Sequence, residues 1–342
     1  MKEIRKLPQP GDLKKDLPLS DTDIHLRRSL VRQMKEILAG RDDRLLLILG
    51  PCSADRRGPV MDYIKRLGRL QEEVGDRALL IPRVYVEKPR TRGTGYKGMV
   101  EFPDPLGDPD ISLGLSVSRA LLREVLEEGA FAPAMELVYP DHYAYFDDLM
   151  GYLTIGARSV ESPAIRMLAS GMDLPVGVKN PTSGDLSVAM ASLLSIQMAQ
   201  RFPYRGKEWE SSGNPYAHLI LRGYSDRMGN PQPNWGLDFL KEVRDLFRKS
   251  RAMNPAVLVD ANHSNSGKNP DKQGDIVRGL MDLRSQEPWV KDLVKGFMME
   301  SYLLDGSQAE DGRVEGRSIT DPCLGWDKTR KLILDIIKRG KE

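Results

Sequence analysis

Eight short runs of β-type residues, separated by amphipathic stretches, constrain this chain more than any other feature. The runs fall near Leu45–Leu49, Leu79–Val86, Ala132–Leu137, Tyr152–Ala157, Pro175–Val178, His218–Leu221, Ala256–Val259 and Val294–Met299. Between them, helical patterns are read over 59–73, 115–128, 143–150, 162–170, 186–201, 237–249, 272–285 and 327–338. Leu237, Leu240, Val243 and Phe247 show the helical period clearly. Apolar strands alternating with helices imply a parallel sheet buried on both faces. Eight such units in 342 residues point to a single (β/α)8 barrel over 41–342, with an open doubly wound sheet as the alternative. About forty residues precede the first strand. They include a helix-like run from Thr22 to Leu38 and are read as an N-terminal arm over 1–40, suited to a subunit contact in a dimer or tetramer.

A formal net charge of +2 argues against nucleic acid as the main partner, so any basic site must be local. The N-terminus lacks a signal-peptide core and no apolar run approaches a membrane span. With only Cys52 and Cys323 present, the chain is not built on disulfides, and a reducing cytoplasm is expected.

In a barrel of this kind the reactive groups sit at the C-terminal ends of the strands. In order, those ends carry Gly50-Pro51-Cys52-Ser53, Lys88-Pro89-Arg90-Thr91, Glu136, Arg158, Lys179-Asn180, Arg222-Gly223, Asp260 to His263, and Glu300-Ser301. Arg83, Lys88, Arg90, Arg158, Lys179 and Arg222 form one candidate anion clamp. An isolated Lys or Arg is ordinarily a solvated surface cation. Here each follows an apolar strand, and six exceed the needs of one phosphate, which suggests two phosphorylated substrates or one that also bears a carboxylate. Cys52, His263, Glu300 and Asp321 form a candidate metal set, mixed in the way that suits zinc, manganese, iron or cobalt. Cys52 could equally be a small buried residue, His263 a hydrogen-bonded loop histidine, and Asp321 a cap for the helix near Asp327.

Two spellings are set aside. Gly93-Thr94-Gly95-Tyr96-Lys97-Gly98 matches a dinucleotide fingerprint but runs into Met99-Val100-Glu101-Phe102-Pro103 rather than a helix. Asn262-His263-Ser264 spells a glycosylation acceptor without a secretory signal.

Gly50-Pro51-Cys52-Ser53 and Arg83-Val84-Tyr85-Val86-Glu87-Lys88-Pro89-Arg90-Thr91 resemble the type I 3-deoxy-D-arabino-heptulosonate 7-phosphate (DAHP) synthases. So do Ile155-Gly156-Ala157-Arg158, Val178-Lys179-Asn180, Ile220-Leu221-Arg222-Gly223, Met299-Glu300-Ser301 and Ser318-Ile319-Thr320-Asp321, in order along nearly the whole chain. The resemblance implies a barrel enzyme that condenses phosphoenolpyruvate with erythrose 4-phosphate, the first step of the shikimate pathway. It implies that Arg158, Lys179 and Arg222 hold the enolpyruvate phosphate, Arg83 and Lys88 its carboxylate, and Arg90 and Thr91 the erythrose phosphate. Pro89, Glu136, Ala157 and His263 complete the substrate site, and Lys88, Arg83 and His263 are the expected catalytic groups. Cys52, His263, Glu300 and Asp321 would bind a divalent metal, manganese first.

The chain departs from that family's pattern in places. The segment from Arg92 to Tyr96 is one residue longer and glycine-rich, and Pro181 follows Asn180 in place of Gly. Tyr139 stands where feedback-regulated members carry Asp, the segment 195–212 does not resemble their regulatory hairpin, and most of their N-terminal extension is missing. Weak or absent inhibition by Phe or Tyr is therefore expected, and Cys52, with Cys323 nearby, is an expected oxidation point. The eight-carbon homologues, which use arabinose 5-phosphate, a metal-dependent aldolase of another pathway and a non-catalytic descendant of the fold are the competing readings.

Overall fold

The computed structural model describes residues 1–90 and 93–339. Eight parallel strands form its core: β1 (Leu45–Gly50), β2 (Ala78–Pro82), β3 (Ala134–Glu136), β4 (Tyr152–Ile155), β5 (Val176–Lys179), β6 (Ala217–Leu221), β7 (Val257–Asp260) and β8 (Val294–Glu300). They are hydrogen-bonded in the order β2-β1-β8-β7-β6-β5-β4-β3. A parallel bridge between Arg83 and Ala134, with the Val84 N–H donating to the Ala134 carbonyl at 2.9 Å, joins the two ends of the sheet. The barrel reading is therefore correct.

Strand alternation sorts side chains into two cores. Leu45, Leu47 and Leu49 of β1 pack outward under the helices. Leu46 and Ile48 point inward and share one buried cluster with Leu79, Ile81, Ala134, Tyr152, Ile220, Leu258 and Met298. Two helices precede β1: α1 (Pro10–Asp16) and α2 (Asp21–Leu38). The Ser20 side chain accepts from the Asp23 N–H, closing a capping box that starts α2. Leu30, Met34, Ile37 and Leu38 of α2 belong to the same inward cluster. Met34 reaches Gly151, where a Cβ would lie 2.9 Å from its terminal methyl. Thus α2 plugs the N-terminal end of the barrel and leaves the opposite mouth open.

Several boundaries differ from expectation, each for a physical reason. The second strand ends at Pro82, which has no N–H for the ladder. The segment beyond it stays extended because Ala54 donates to the Tyr85 carbonyl and Val100 to that of Val86. The helix expected over 143–150 is a 3-10 turn, Pro140–His142, followed by Tyr143–Phe146. The carbonyls of Tyr145, Asp147 and Met150 are taken by the Arg119 and Arg27 side chains. The helix from Leu186 stops at Gln197. Beyond it Arg201–Tyr204 pairs with Lys207–Glu210 across Arg205 and Gly206, both at positive φ, which is a two-residue hairpin turn. A hairpin is therefore present in the 195–212 segment.

Among the described residues no helix is long and apolar enough to cross a membrane.

His218, on β6, is fully buried; its Nδ1 faces the Tyr216 carbonyl at 3.0 Å and its Nε2 the Tyr152 hydroxyl at 2.7 Å. Nδ1 therefore carries the proton and Nε2 accepts from Tyr152. Burial drives its pKa down to about 4 from 6.5. Between those values the unfolded chain takes up a proton that the folded chain refuses, so stability falls as pH drops through 6.5 and levels off below 4. The full effect is roughly 3 kcal/mol. Melting temperatures across this range should show a shallower acid slope for His218→Gln than for the native chain; equal slopes would contradict the assignment.

Candidate active site

The mouth of the barrel encloses a cavity of about 240 Å³ lined by residues from several strand ends, including Cys52, Lys88, Arg90, Glu136, Arg158, Lys179, Arg222, His263 and Asp321. Pro89 and Ala157 line it as well. Larger hollows lie elsewhere, one of about 570 Å³ beside Arg244, Trp289 and Lys295 near the start of β8, but none of the expected site residues lines it. The chemistry is concentrated in the smaller cavity.

Its floor begins where β1 ends. A Cβ at Gly50 would sit 2.4 Å from the Arg83 carbonyl, so only glycine lets these two strands approach. Cys52 follows, buried, its N–H donating to Cys323 Sγ at 3.4 Å. Single ligand atoms of Cys52, Glu300 and Asp321 lie within 4.8 Å of one another. Glu300 is fully buried: one carboxylate oxygen accepts from Asn262 Nδ2, while Oε1 lies 2.8 Å from the Arg83 guanidinium. A thiol and two carboxylates converging in one small buried space fit a divalent cation. His263 stands at the edge of this group, with Nε2 3.9 Å from Glu300 Oε1. Three of the four expected ligands thus converge and the fourth is adjacent. The same packing removes Asn262 from any role as a glycan acceptor, since it is completely buried.

Asp260, at the end of β7, organises the neighbourhood. Its Oδ2 lies 2.8 Å from His263 Nδ1 and 2.9 Å from Lys179 Nζ. Burial opposes its ionisation, but His263 and Lys179 outweigh burial and hold its carboxyl well below the usual range. A carboxylate beside Nδ1 keeps the ring proton there and leaves Nε2 free to bind a metal. Burial lowers the pKa of both His263 and Lys179, against the pull of Asp260. Burial, reinforced by Glu300, raises that of Cys52.

Arg222 is 8% exposed, lines the cavity, and has an Nη1 without a hydrogen-bond partner. Its backbone is fixed by Asn180 Oδ1, which accepts the Arg222 N–H at 2.9 Å. A buried guanidinium with an unfilled donor is an anion site. Lys88 Nζ donates to the Cys52 carbonyl at 2.7 Å and lies 3.3 Å from its Sγ. Arg90 Nε donates to the Tyr96 carbonyl at 2.9 Å. Thr91, expected in the acceptor grip, lies outside the described residues.

Arg83 departs from expectation. It continues the inward row of Leu79 and Ile81, so its side chain lies inside the barrel rather than among the cavity-lining groups. Its Nη2 is 2.8 Å from Glu300 Oε1, its Nε donates to the Pro51 carbonyl at 3.1 Å, and its guanidinium stacks on Tyr85 at 3.9 Å. Arg83 therefore braces the floor. Residue-by-residue reading also gave no role to Asp260, Lys268 or Thr182. Asp260 stood in view at a strand end, but its partners are distant in sequence and only folding brings them to it. Lys268 and Thr182 lie beyond the strand ends, in loops whose course no periodicity reveals, yet both line the cavity.

A (β/α)8 barrel whose C-terminal mouth pairs an anion-binding cavity with a set of metal-ligating groups defines a class of enzyme acting on phosphorylated or carboxylated substrates. The comparisons with known proteins narrow that class. Residues 21–333 match the model of the DAHP synthetase I family, and the chain belongs to that family. The Phe-sensitive phospho-2-dehydro-3-deoxyheptonate aldolase of Escherichia coli K12 is 34% identical over 351 aligned positions, spanning 100% of this chain and 96% of that protein. The enzyme of the same name from Corynebacterium glutamicum is 32% identical, spanning 99% and 93% of the two chains. A solved structure of the phospho-2-dehydro-3-deoxyheptonate aldolase from Francisella tularensis SCHU S4 superposes with a TM-score of 0.92 at 29% identity, covering 99% of this chain and 98% of that one.

The bracing role of Asp260 is open to test. Asp260→Ala strands a buried Lys179 without its counter-charge, which should cost about 3–5 kcal/mol by chemical denaturation. A loss below about 1 kcal/mol would show that the pair is dispensable.

Proposed function

We propose that the chain condenses phosphoenolpyruvate with D-erythrose 4-phosphate and water to give 3-deoxy-D-arabino-heptulosonate 7-phosphate and phosphate. The observation that carries this reading is one cavity holding Lys88, Arg90, Arg158, Lys179 and Arg222 beside Cys52 and Asp321. Joining two polyanions requires that their repulsion be offset, and six cations around about 240 Å³, Lys268 among them, do so. Arg158, Lys179 and Arg222 hold the enolpyruvate phosphate, and the open Nη1 of Arg222 gives that phosphate a ready donor. Lys88 holds the carboxylate, and Arg83 adds its charge from behind Glu300. Arg90 and Thr91 take the erythrose phosphate, with Pro89, Glu136 and Ala157 shaping the space between.

Cys52, Glu300, Asp321 and His263 would hold a divalent metal, manganese by preference, which when bound supplies Lewis-acid polarisation of the aldehyde oxygen. C3 of the enol then attacks the aldehyde carbon, water adds at C2, and the resulting phosphohemiketal expels phosphate. Lys88 Nζ is the proton donor to the new alkoxide. Asp260 keeps the His263 proton on Nδ1, so that Nε2 is not blocked. We further infer a cytoplasmic homo-oligomer, with the exposed apolar residues Met1, Ile4 and Leu7 at a subunit contact.

Phosphate release from phosphoenolpyruvate should depend on erythrose 4-phosphate, cease with chelator and return with added metal. Preference for arabinose 5-phosphate would instead place the chain with the eight-carbon synthases, and no turnover with either aldose would favour a non-catalytic descendant. Lys88→Met should lower kcat by about 10²-fold or more. A near-normal kcat with only a raised KM would leave Lys88 as a binding group alone.

A further inference from the structure

The candidate metal ligands do not stand unpartnered. Each of the three converging groups faces its own cation: Cys52 Sγ lies 3.3 Å from Lys88 Nζ, Glu300 Oε1 2.8 Å from Arg83 Nη2, and Asp321 Oδ1 2.9 Å from Lys268 Nζ. These partners differ in their freedom to leave. Arg83 and Glu300 have side chains 1% and 0% exposed, so that pair is locked inside the barrel. Lys268 is 56% exposed, and Asp321 27%. A lysine in water holds a carboxylate weakly and reversibly, because its four-carbon stem is flexible and its charge is screened.

The backbone presents Lys268 to the cavity at some cost. The short helix His263–Ser266 ends at Gly267 (φ 62°), and Lys268 follows with φ 62°, in the left-handed region that non-glycine residues avoid. His263, at the other end of this segment, also has positive φ, at 47°. The Lys268 N–H donates to the His263 carbonyl at 2.8 Å and locks the turn. Both residues line the cavity. Two non-glycine residues in this conformation within one six-residue segment, both aimed at the same cavity, mark a constraint that a mere surface ion pair does not require.

We propose that Lys268 is an exchange cation: it occupies Asp321 in the metal-free chain, yields Asp321 to an incoming divalent metal, and once displaced lends its charge to a phosphate-bearing ligand in the cavity. This rests on the reading of Cys52, Glu300 and Asp321 as metal ligands. It makes Lys268 a positioning residue toward the metal and a substrate-binding residue toward the anion. Because both ligands draw on the same lysine, metal and phosphate each raise the affinity for the other by the same factor.

Isothermal titration of the full metal-free chain with Mn²⁺, and of both metal-free and Mn²⁺-loaded chains with inorganic phosphate, tests it directly. In the native chain Mn²⁺ should tighten phosphate binding several-fold. Lys268→Met removes the competitor, so Mn²⁺ should bind about three- to tenfold tighter, while the gain in phosphate affinity on loading shrinks. Lys268→Arg should restore both native behaviours, and an unchanged melting temperature will confirm that each variant is folded. Unchanged or weaker Mn²⁺ binding by Lys268→Met would overturn the proposal, leaving a surface ion pair or a contact that merely orients Asp321. If the native chain itself takes up no Mn²⁺, Co²⁺ or Zn²⁺, the metal reading fails, and the exchange with it.

Discussion

Two buried ion pairs, Arg83–Glu300 and Lys179–Asp260, each reaching across one intervening strand at the mouth of the barrel, hold this molecule's chemistry in place. Neither is a cheap way to stabilise a barrel, since removing two charges from water costs several kcal/mol per ion and their attraction only partly returns it. What such pairs provide is fixed orientation. Glu300 cannot turn away from Cys52 without leaving Arg83 uncompensated, and Asp260 cannot release His263 without also disturbing Lys179. The barrel interior converts a costly arrangement into a rigid one because Leu46, Ile48, Leu258 and Met298 fill the layers beneath, and α2 seals the far end. Stability is placed at one end of the strands, and function at the other.

Cationic groups at the mouth then divide into two kinds. Arg83 is spent on the protein itself, holding the floor together through Glu300 and the Pro51 and Cys52 carbonyls. Arg222, with an unfilled buried donor, is kept ready for something the protein does not supply. Lys179 lies between the two kinds, paired with Asp260 yet lining the cavity. A simple count of positive charges misses this division. Burial and pairing decide which cation can meet an anion.

Much of this was legible in the chain itself. All eight strands were, because a parallel barrel buries both faces of every strand and writes each as a short apolar run. The strand-end residues followed, since the fold puts all eight ends at one mouth. What stayed hidden depends on side-chain direction or on irregular backbone. That Arg83 points inward follows from counting alternate residues from Leu79, but the pattern does not show where β2 stops, and Pro82 moves that end back by four residues from the expected Val86. The hairpin at Arg201–Glu210 was masked because the apolar pattern of the helix before it runs on by period alone; Arg205-Gly206 was the local signal for a turn. Lys268 had none, because its position follows from the left-handed turn after the short helix at His263.

On the proposed reading this mouth makes a carbon–carbon bond rather than merely holding or hydrolysing a phosphate ester. Supplying phosphoenolpyruvate labelled with carbon-13 at C3, together with erythrose 4-phosphate and the metal-loaded chain, decides it by carbon NMR. The label should appear as the methylene carbon of a seven-carbon sugar acid, formed in step with phosphate release. A labelled methyl group of pyruvate, with erythrose 4-phosphate left unconsumed, would contradict the account.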